Sequence, residues 1–152
     1  MRLLIVLSTF VFFANTVSAQ YCTPIGNCVF DDYIGNFQFN TISQLNTSGV
    51  NCGSRFRPGN AYSNTGASTT VTRGLKYFML VTSGPLANRE QGFGIWIDFN
   101  NDQDFSDAGE FVWHSPNADS VFSDSIYIPY SATLGQTRMR VRSNRGDTLA
   151  AN

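Results

Sequence analysis

The chain has 152 residues, and its 10 basic and 11 acidic side chains give a formal net charge of −1. This balance excludes the basic excess by which proteins hold nucleic acid. Charged residues and aromatic residues each make up 14% of the chain, and sparse charge with many Thr, Ser, Asn and aromatic side chains is typical of a secreted β protein.

Residues 1–19 have the pattern of a secretory signal peptide. Arg2 supplies a positive charge, residues 3–13 are almost entirely apolar, and Val17-Ser18-Ala19 fits a small-residue cleavage site. The apolar run is shorter than the roughly 20 residues that cross a bilayer. We predict that the mature protein begins at Gln20, has no transmembrane segment and is extracellular or on the cell surface; the alternative is an uncleaved anchor.

Three cysteines, Cys22, Cys28 and Cys52, lie in the N-terminal third of the chain. Export to an oxidising compartment predicts a disulfide among them, but their spacing does not give its connectivity. An odd number leaves one thiol without a partner in this sequence, and together with the abrupt end this leads us to expect a fragment. A zinc site is not indicated, because His114 is the only histidine and the short ligand spacing is missing.

Hydrophobic alternation with a period of two predicts an all-β chain, and no segment has sustained helical periodicity. The predicted strands cover residues 34–39, 68–73, 75–82, 93–99, 111–114, 125–129 and 137–142. The strand at 75–82 is apolar on both faces, which predicts a central position in its sheet. Residues 41–63 are interpreted as a long polar loop. Strands every 10 to 20 residues favour a single antiparallel β-sandwich domain over residues 20–152.

The acidic segment 98–110, directly after an apolar strand, predicts a metal-binding loop. Oxygen-bearing side chains occupy its positions 1, 3, 5 and 7, with further acids at positions 10 and 13. Alternate residues of a curled loop point to one centre, and six or seven hard oxygens around a point are what Ca²⁺ requires. The predicted calcium ligands are Asp98, Asn100, Asp102, Asp104 and Glu110, with Asp107 either ligating or capping the turn.

This loop agrees only in part with the EF-hand pattern. The EF-hand has glycine at position 6 and a bidentate acid at position 12, where this chain has Gln103 and Gly109. No helix pattern flanks it. We therefore interpret it as a calcium loop on a β scaffold, and the alternative is a solvated acidic turn without a metal.

Arg138, Arg140 and Arg142 alternate along the last predicted strand and share one face. One hypothesis is a site for an anion or an acidic polysaccharide. The other is a solvated face whose charges pair with acids on neighbouring strands. Because like charges at this spacing repel each other, we expect acidic neighbours.

Four aromatic residues have two possible roles, sugar binding and packing in the core. A sugar-stacking platform is one possibility for Trp96, Trp113, Tyr127 and Tyr130, but aromatic side chains in β-sandwiches more often lie in the core. The tripeptide at 145–147 spells an adhesion motif and is better interpreted as a turn.

No catalytic motif is visible in the sequence. There is no nucleophile elbow, zinc-protease motif or phosphate loop, and His114 is the only histidine. Asp31 and Asp32 are adjacent, so on a strand they point to opposite faces and do not form a carboxylate pair. We predict that the protein is not an enzyme.

Four segments in order resemble the GEVED domain of secreted bacterial proteins. They are Tyr21-Cys22-Thr23-Pro24 with Cys28, the blocks at 33–39 and 42–49, the segment 95–100 with the acidic loop and Gly109-Glu110, and the strand at 137–142. The resemblance covers most of residues 21–145. Gln103 stands where the family commonly has a loop glycine, and the family's Gly-Glu-Val-Glu-Asp segment, usually preceded by a cysteine, would follow residue 152.

The resemblance implies a β-sandwich module of large exported proteins, often beside peptidase or adhesion domains and a sorting domain for type IX secretion. It assigns no catalytic residues to the module. We therefore predict a non-catalytic accessory or adhesive module, stabilised by calcium, whose partners are neighbouring domains and an extracellular glycan or protein ligand. The alternative is a carbohydrate-binding module attached to a secreted hydrolase.

Overall fold

The computed structural model describes Tyr21 and residues 33–45, 62–84 and 90–145. The predicted signal peptide, the three cysteines, the Asp31-Asp32 pair and residues 146–147 of the adhesion-like tripeptide lie outside this part of the chain. The described residues form seven strands and no helix. In chain order they are β1 (Ile34–Phe39), β2 (Ile42–Leu45), β3 (Lys76–Ser83), β4 (Gln91–Ile97), β5 (Phe111–His114), β6 (Val121–Tyr127) and β7 (Met139–Arg145).

The strands form two antiparallel sheets that pack as a sandwich, which confirms the predicted fold class. One sheet has the order β2-β1-β3-β6 and the other β5-β4-β7. The inward side chains alternate with outward ones. Met79 and Val81 are fully buried, whereas Phe78 and Leu80 point outward, Phe78 exposed and Leu80 half-buried. Facing them from the other sheet are Phe93, Ile95 and Ile97 of β4.

Several predicted strands agree with the structure. β1 and β5 have the predicted bounds, and β3 lies inside the four-stranded sheet between β1 and β6, as its two apolar faces predicted. β6 and β7 form as predicted but are displaced, since β6 begins four residues earlier than expected and β7 continues three residues further.

The strand predicted at 68–73 is wrong. Its Thr and Val residues favour extended backbone, but side chains rather than a neighbouring strand satisfy that backbone. Asn40 Nδ2 donates to the Thr70 carbonyl at 2.9 Å, and the Thr72 amide donates to the Tyr77 hydroxyl at 2.6 Å. The segment is therefore extended without joining a sheet.

The polar loop predicted at 41–63 is also wrong in its first part, because β2 lies within it. Phe39 pairs with Ile42 across a two-residue turn, and Asn40 there has a φ of 51°. Asparagine tolerates this left-handed conformation, which the tight turns of hairpins require. Asn40, a residue type common in tight turns, is the feature of the sequence from which this hairpin could have been predicted.

Candidate metal loop and arginine face

The acidic loop connects β4 to β5, and the backbone fixes both of its ends. The Ile97 amide donates to the Glu110 carbonyl at 2.9 Å, which closes the loop at its base. The Asp98 amide donates to the Arg138 carbonyl at 3.1 Å, so the loop also joins the segment that leads into β7. The loop therefore leaves a rigid, fully buried strand and returns beside it.

Asp98, the first predicted ligand, is buried and holds the loop in its curl. Its Oδ1 accepts a hydrogen bond from the Asn101 amide at 2.5 Å, and its Oδ2 accepts from the Gln103 amide at 3.0 Å. The hydroxyl of Tyr21 also donates to Oδ2, at 2.5 Å. Because both oxygens already accept hydrogen bonds, the Asp98 carboxylate has a structural role in this conformation.

Glu110, the last predicted ligand, is a second buried carboxylate at the base of the loop, only 2% exposed. Its Oε1 accepts from the Phe99 amide at 2.9 Å, whereas Oε2 has no hydrogen-bond partner. Burial raises the pKa of Glu110, and hydrogen bonding to the Phe99 and Asn100 amides partly offsets the rise. A buried carboxylate oxygen without a donor is unfavourable unless a proton or a cation neutralises it.

Three exposed acids converge at the tip of the loop. One carboxylate oxygen from each of Asp102, Asp104 and Asp107 lies within 4.8 Å of the other two, close enough to hold a metal ion. Asn100 Nδ2 donates to Asp102 Oδ2 at 2.9 Å and to Asp107 Oδ2 at 2.5 Å. We call Asp102, Asp104 and Asp107 the acidic triad.

The charges of the acidic triad are coupled. A hydrogen bond to Asp102 raises the pKa of Asp107, and the neighbouring negative charges of Asp102 and Asp104 add to the rise. The pKa of Asp104 is lowered instead, because the Ser106 hydroxyl and amide donate to its Oδ1 at 2.7 and 2.8 Å. A divalent cation among the three carboxylates would relieve their mutual repulsion.

The predicted ligands thus separate into two sets. Asp102 and Asp104 converge with Asp107, which the sequence left as either a ligand or a cap, and Asn100 is bonded to two members of the acidic triad. Asp98 and Glu110 lie buried in the base of the same loop. The alternation of oxygen-bearing residues identified the loop, but it could not show which carboxylates are turned inward.

The curl of the loop requires positive φ at two residues that are not glycine. Asn101 has a φ of 62° and Gln103 a φ of 74°. Gln103 occupies the position at which the EF-hand has glycine. The turn at this position requires positive φ, which glutamine adopts less readily than glycine because it has a Cβ atom.

The arginine row on β7 is stacked on aromatic rings. The guanidinium carbon of Arg138 lies 4.3 Å from the ring centre of Tyr21, that of Arg140 4.2 Å from Phe105, and that of Arg142 5.9 Å from Trp96. These are cation–π contacts. Among the described residues Arg138 and Arg142 form no ion pair, although the buried Asp98 lies beside Arg138 and donates its amide to the Arg138 carbonyl. The expected acidic neighbours stay a prediction, because Asp31, Asp32 and Asp147 lie outside the described residues.

The four aromatic residues considered as a sugar platform do not share a surface. Trp96 is buried and stacked on Phe111 at 4.5 Å, and Trp113 is half-buried with its Nε1 donating to Asp124 at 2.8 Å. The core interpretation is correct for these two residues. It is wrong for the two tyrosines that are exposed, Tyr127 and Tyr130.

The part of the chain that contains these features matches a known domain family. Residues 92–152, which contain most of β4, the acidic loop and the arginine row, match the family model of the GEVED domain. This part of the chain is similar to the GEVED domain. The match confirms the resemblance expected from the loop and the last strand. No curated protein and no solved structure matches the chain.

The GEVED domain is a non-catalytic accessory domain family, and the match suggests a protein of which this domain is one part. Among the described residues no helix is long and apolar enough to span a membrane. The histidine has no catalytic setting in this part of the structure: the His114 ring stacks against Phe111 at 5.5 Å, and its Nδ1 lies 3.1 Å from the Ser115 carbonyl oxygen.

Proposed function

We propose that the protein is a non-catalytic accessory or adhesive module of a larger extracellular or cell-surface protein, and that its acidic loop binds Ca²⁺. Similarity to the GEVED domain supports the accessory role. The observation that carries the metal proposal is the convergence of three carboxylates within 4.8 Å. The partners we propose are neighbouring domains of the same protein and an extracellular ligand.

The donor set of the loop suits calcium better than magnesium or zinc. It offers carboxylate oxygens and the amide oxygen of Asn100 without a histidine or a thiolate, and oxygen-only sets favour Ca²⁺ and Mg²⁺ over zinc. Mg²⁺ demands near-ideal octahedral geometry, whereas Ca²⁺ accepts a flexible shell of six to eight oxygens. The acidic triad is exposed at the tip of the loop, where a flexible shell of this kind can be completed by water oxygens.

The ion would act mainly on the stiffness of the loop. In the structure the triad is linked by Asn100 and by turns such as that in which the Asp104 amide donates to Asp102 Oδ1 at 3.1 Å. A bound cation would cross-link the same side chains to a single centre. It would also place positive charge in the loop that contains the buried, half-satisfied carboxylate of Glu110.

Calorimetric titration with Ca²⁺ and thermal melts with Ca²⁺ or with a chelator test this proposal. Ligand that binds only the folded state adds about 2.7 kcal/mol at 100-fold saturation, so the melting temperature should rise with calcium. The variant Asp102→Asn with Asp104→Asn should lose both responses. Glu90→Gln, which removes an exposed acid outside the loop, is the matched control and should keep them. Equal melting temperatures with no heat of binding at millimolar calcium would refute the metal site.

A carbohydrate-binding module on the four aromatic residues is not supported, because Trp96 is buried and the rings are dispersed. The surface that carries the three stacked arginines has the chemistry to bind a glycan.

A further inference from the structure

The outer face of the three-stranded sheet carries the three arginines in a line, each held over an aromatic ring. We propose that this face binds a linear polysaccharide that bears carboxylate or sulfate groups. The proposal supplies a ligand class for the adhesive role proposed above and rests on that role. It does not require calcium in the acidic loop.

The strand geometry sets the spacing of the positive charges. Arg140 and Arg142 lie on β7 and Arg138 directly precedes it, and a rise of about 3.3 Å per residue separates the Cα atoms of successive arginines by roughly 6.6 Å. Such a row matches a polymer with regularly repeated negative charges better than it matches a compact anion. Arg138 and Arg142 are exposed, so a ligand can reach both ends of the row.

Stacking prepares the guanidiniums for a ligand. The rings of Tyr21 and Trp96 cover one side of Arg138 and Arg142, at 4.3 and 5.9 Å. A stacked guanidinium keeps its N–H donors at its edge, where they can bind a carboxylate or sulfate in bidentate fashion.

A groove beside Arg138 adds uncharged hydrogen-bonding groups. Its volume is about 340 Å³, and it is lined by Tyr21, Asn101, Gln103, Gln136, Thr137 and Arg138. Amides and hydroxyls of this kind bind sugar hydroxyls, and aromatic rings add apolar contact.

Asn101 and Gln103 in this groove both have left-handed backbone, and glutamine is the less suited of the two to that conformation. The φ of 74° at Gln103 is a conformation that glycine adopts without penalty and that a residue with a side chain adopts at a cost. Strained residues of this kind cluster at binding sites. We infer that the Gln103 amide contacts the ligand.

The geometry favours a polysaccharide over an acidic peptide or a nucleic acid. A peptide that pairs with the edge strand β7 would lie beside the sheet, whereas the arginines project from the face of the sheet, next to the amide-lined groove. Nucleic acid is held mainly through its phosphates and presents few hydroxyls to the amides and hydroxyls that line the groove. A glycan with spaced charges and many hydroxyls suits both the arginine row and the amide-lined groove.

Binding of the full chain to five immobilised or titrated polymers tests the proposal. The probes are heparin for sulfate, polygalacturonate for carboxylate, dextran as a neutral glycan, poly-L-glutamate as an acidic peptide and single-stranded DNA. We expect heparin or polygalacturonate to bind most tightly, and Arg138→Gln or Arg142→Gln to weaken that binding about fivefold or more. Lys76→Gln removes one exposed charge from the other sheet and should change affinity less than about twofold.

Two further variants separate ligand contact from structure. Arg138→Lys keeps the charge but loses the planar fork, so affinity should fall while the fold is retained. Gln103→Gly should raise the melting temperature yet weaken binding, a combination that a purely structural role for Gln103 does not produce. Unchanged affinity in Gln103→Gly would remove that residue from the site.

Three results would overturn the proposal: no acidic polysaccharide binding above dextran, an equal loss in Lys76→Gln, or tighter binding of poly-L-glutamate or DNA. The calcium dependence of melting is measured on the same arginine variants. If the glycan does not bind while calcium still stabilises the protein, the glycan site fails and the metal loop stands; the opposite pattern refutes the metal loop alone.

Discussion

The hydroxyl of Tyr21 donates a 2.5 Å hydrogen bond to Asp98 Oδ2, which lies 77 positions further along the chain. The ring of Tyr21 at the same time supports Arg138 and lies 5.2 Å from the ring of Phe105. One residue thus connects the base of the acidic loop with the arginine face. Burial and the bond to Asp98 raise the pKa of the Tyr21 hydroxyl, so it stays protonated and remains a donor over the physiological range.

Tyr21→Phe tests how much the hydrogen bond from the Tyr21 hydroxyl to Asp98 contributes to stability. The ring remains to support Arg138, so the variant removes only the hydroxyl and its bond to a carboxylate. Hydrogen bonds to charged groups contribute about 1.5–3 kcal/mol, and for a half-buried donor we expect a loss of about 1–2 kcal/mol in the free energy of unfolding. Denaturant titration measures it. Tyr130→Phe, whose side chain is 74% exposed, should leave stability unchanged; equal effects of the two changes would contradict the structural role of the Tyr21 hydroxyl.

The two sets of loop carboxylates should respond differently to neutralisation. Asp102→Asn removes one of three mutually repelling charges at an exposed tip, so stability without calcium should stay within about 0.5 kcal/mol of wild type while the calcium response is lost. Asp98→Asn places an amide N–H against the donors of Gln103 and Tyr21 and should lower stability by about 2–3 kcal/mol with or without calcium. Chemical denaturation in calcium and in chelator separates the two. Similar profiles for both variants would show that the carboxylates do not divide into structural and ion-binding sets.

Gln103→Gly should stabilise the protein. Left-handed backbone costs a residue with a Cβ about 1–2 kcal/mol, and the greater freedom of glycine in the unfolded chain cancels part of that gain, so the net increase should be about 0.5–1 kcal/mol. Gly109→Ala is the reverse experiment: its φ is 92° and a Cβ there would meet no atom within 4 Å, so any loss reflects backbone conformation alone. A gain in the first variant without a loss in the second would show that relief of left-handed strain is not the cause.

The sequence predicted the parts of this fold that short-range pattern controls. β1 and β5 were correct because their apolar residues alternate or cluster between clear breaks. β2 was missed because it has four residues of which two are polar, and it exists through its pairing with β1. The segment at 68–73 has strand composition, yet side chains from Asn40 and Tyr77 satisfy its backbone, which no local pattern reveals.

The candidate site was predictable to a similar extent. The spacing of acids in the loop located Asp102 and Asp104 correctly within a cluster, because alternate residues of a curled loop converge. It could not show that Asp98 and Glu110 are buried, since burial depends on how the loop folds back on β4 and β7. The aromatic partners of the arginines could not be predicted for a related reason: Tyr21 and Phe105 reach the arginines only through the tertiary fold.

Glu110 should contribute to the dependence of stability on pH, and Glu110→Gln should remove that contribution. Its pKa is raised in the folded protein, so its contribution to stability is fully present below the ordinary carboxyl pKa and is lost as pH rises through the folded pKa. The difference in unfolding free energy, wild type minus Glu110→Gln, should therefore decrease from acidic to neutral pH in the absence of calcium. Taking this difference removes the opposite contribution of Asp104, whose pKa is lowered.

Denaturant titrations of both proteins between about pH 4 and pH 7.5 give that difference directly. Adding calcium at neutral pH should restore part of the wild-type stability, because a cation in the loop stabilises the ionised carboxylate that burial disfavours. The same addition should stabilise Glu110→Gln less. A difference that stays constant with pH would mean that Glu110 titrates alike in the folded and unfolded chains, and an increasing one would mean that its folded pKa is lowered.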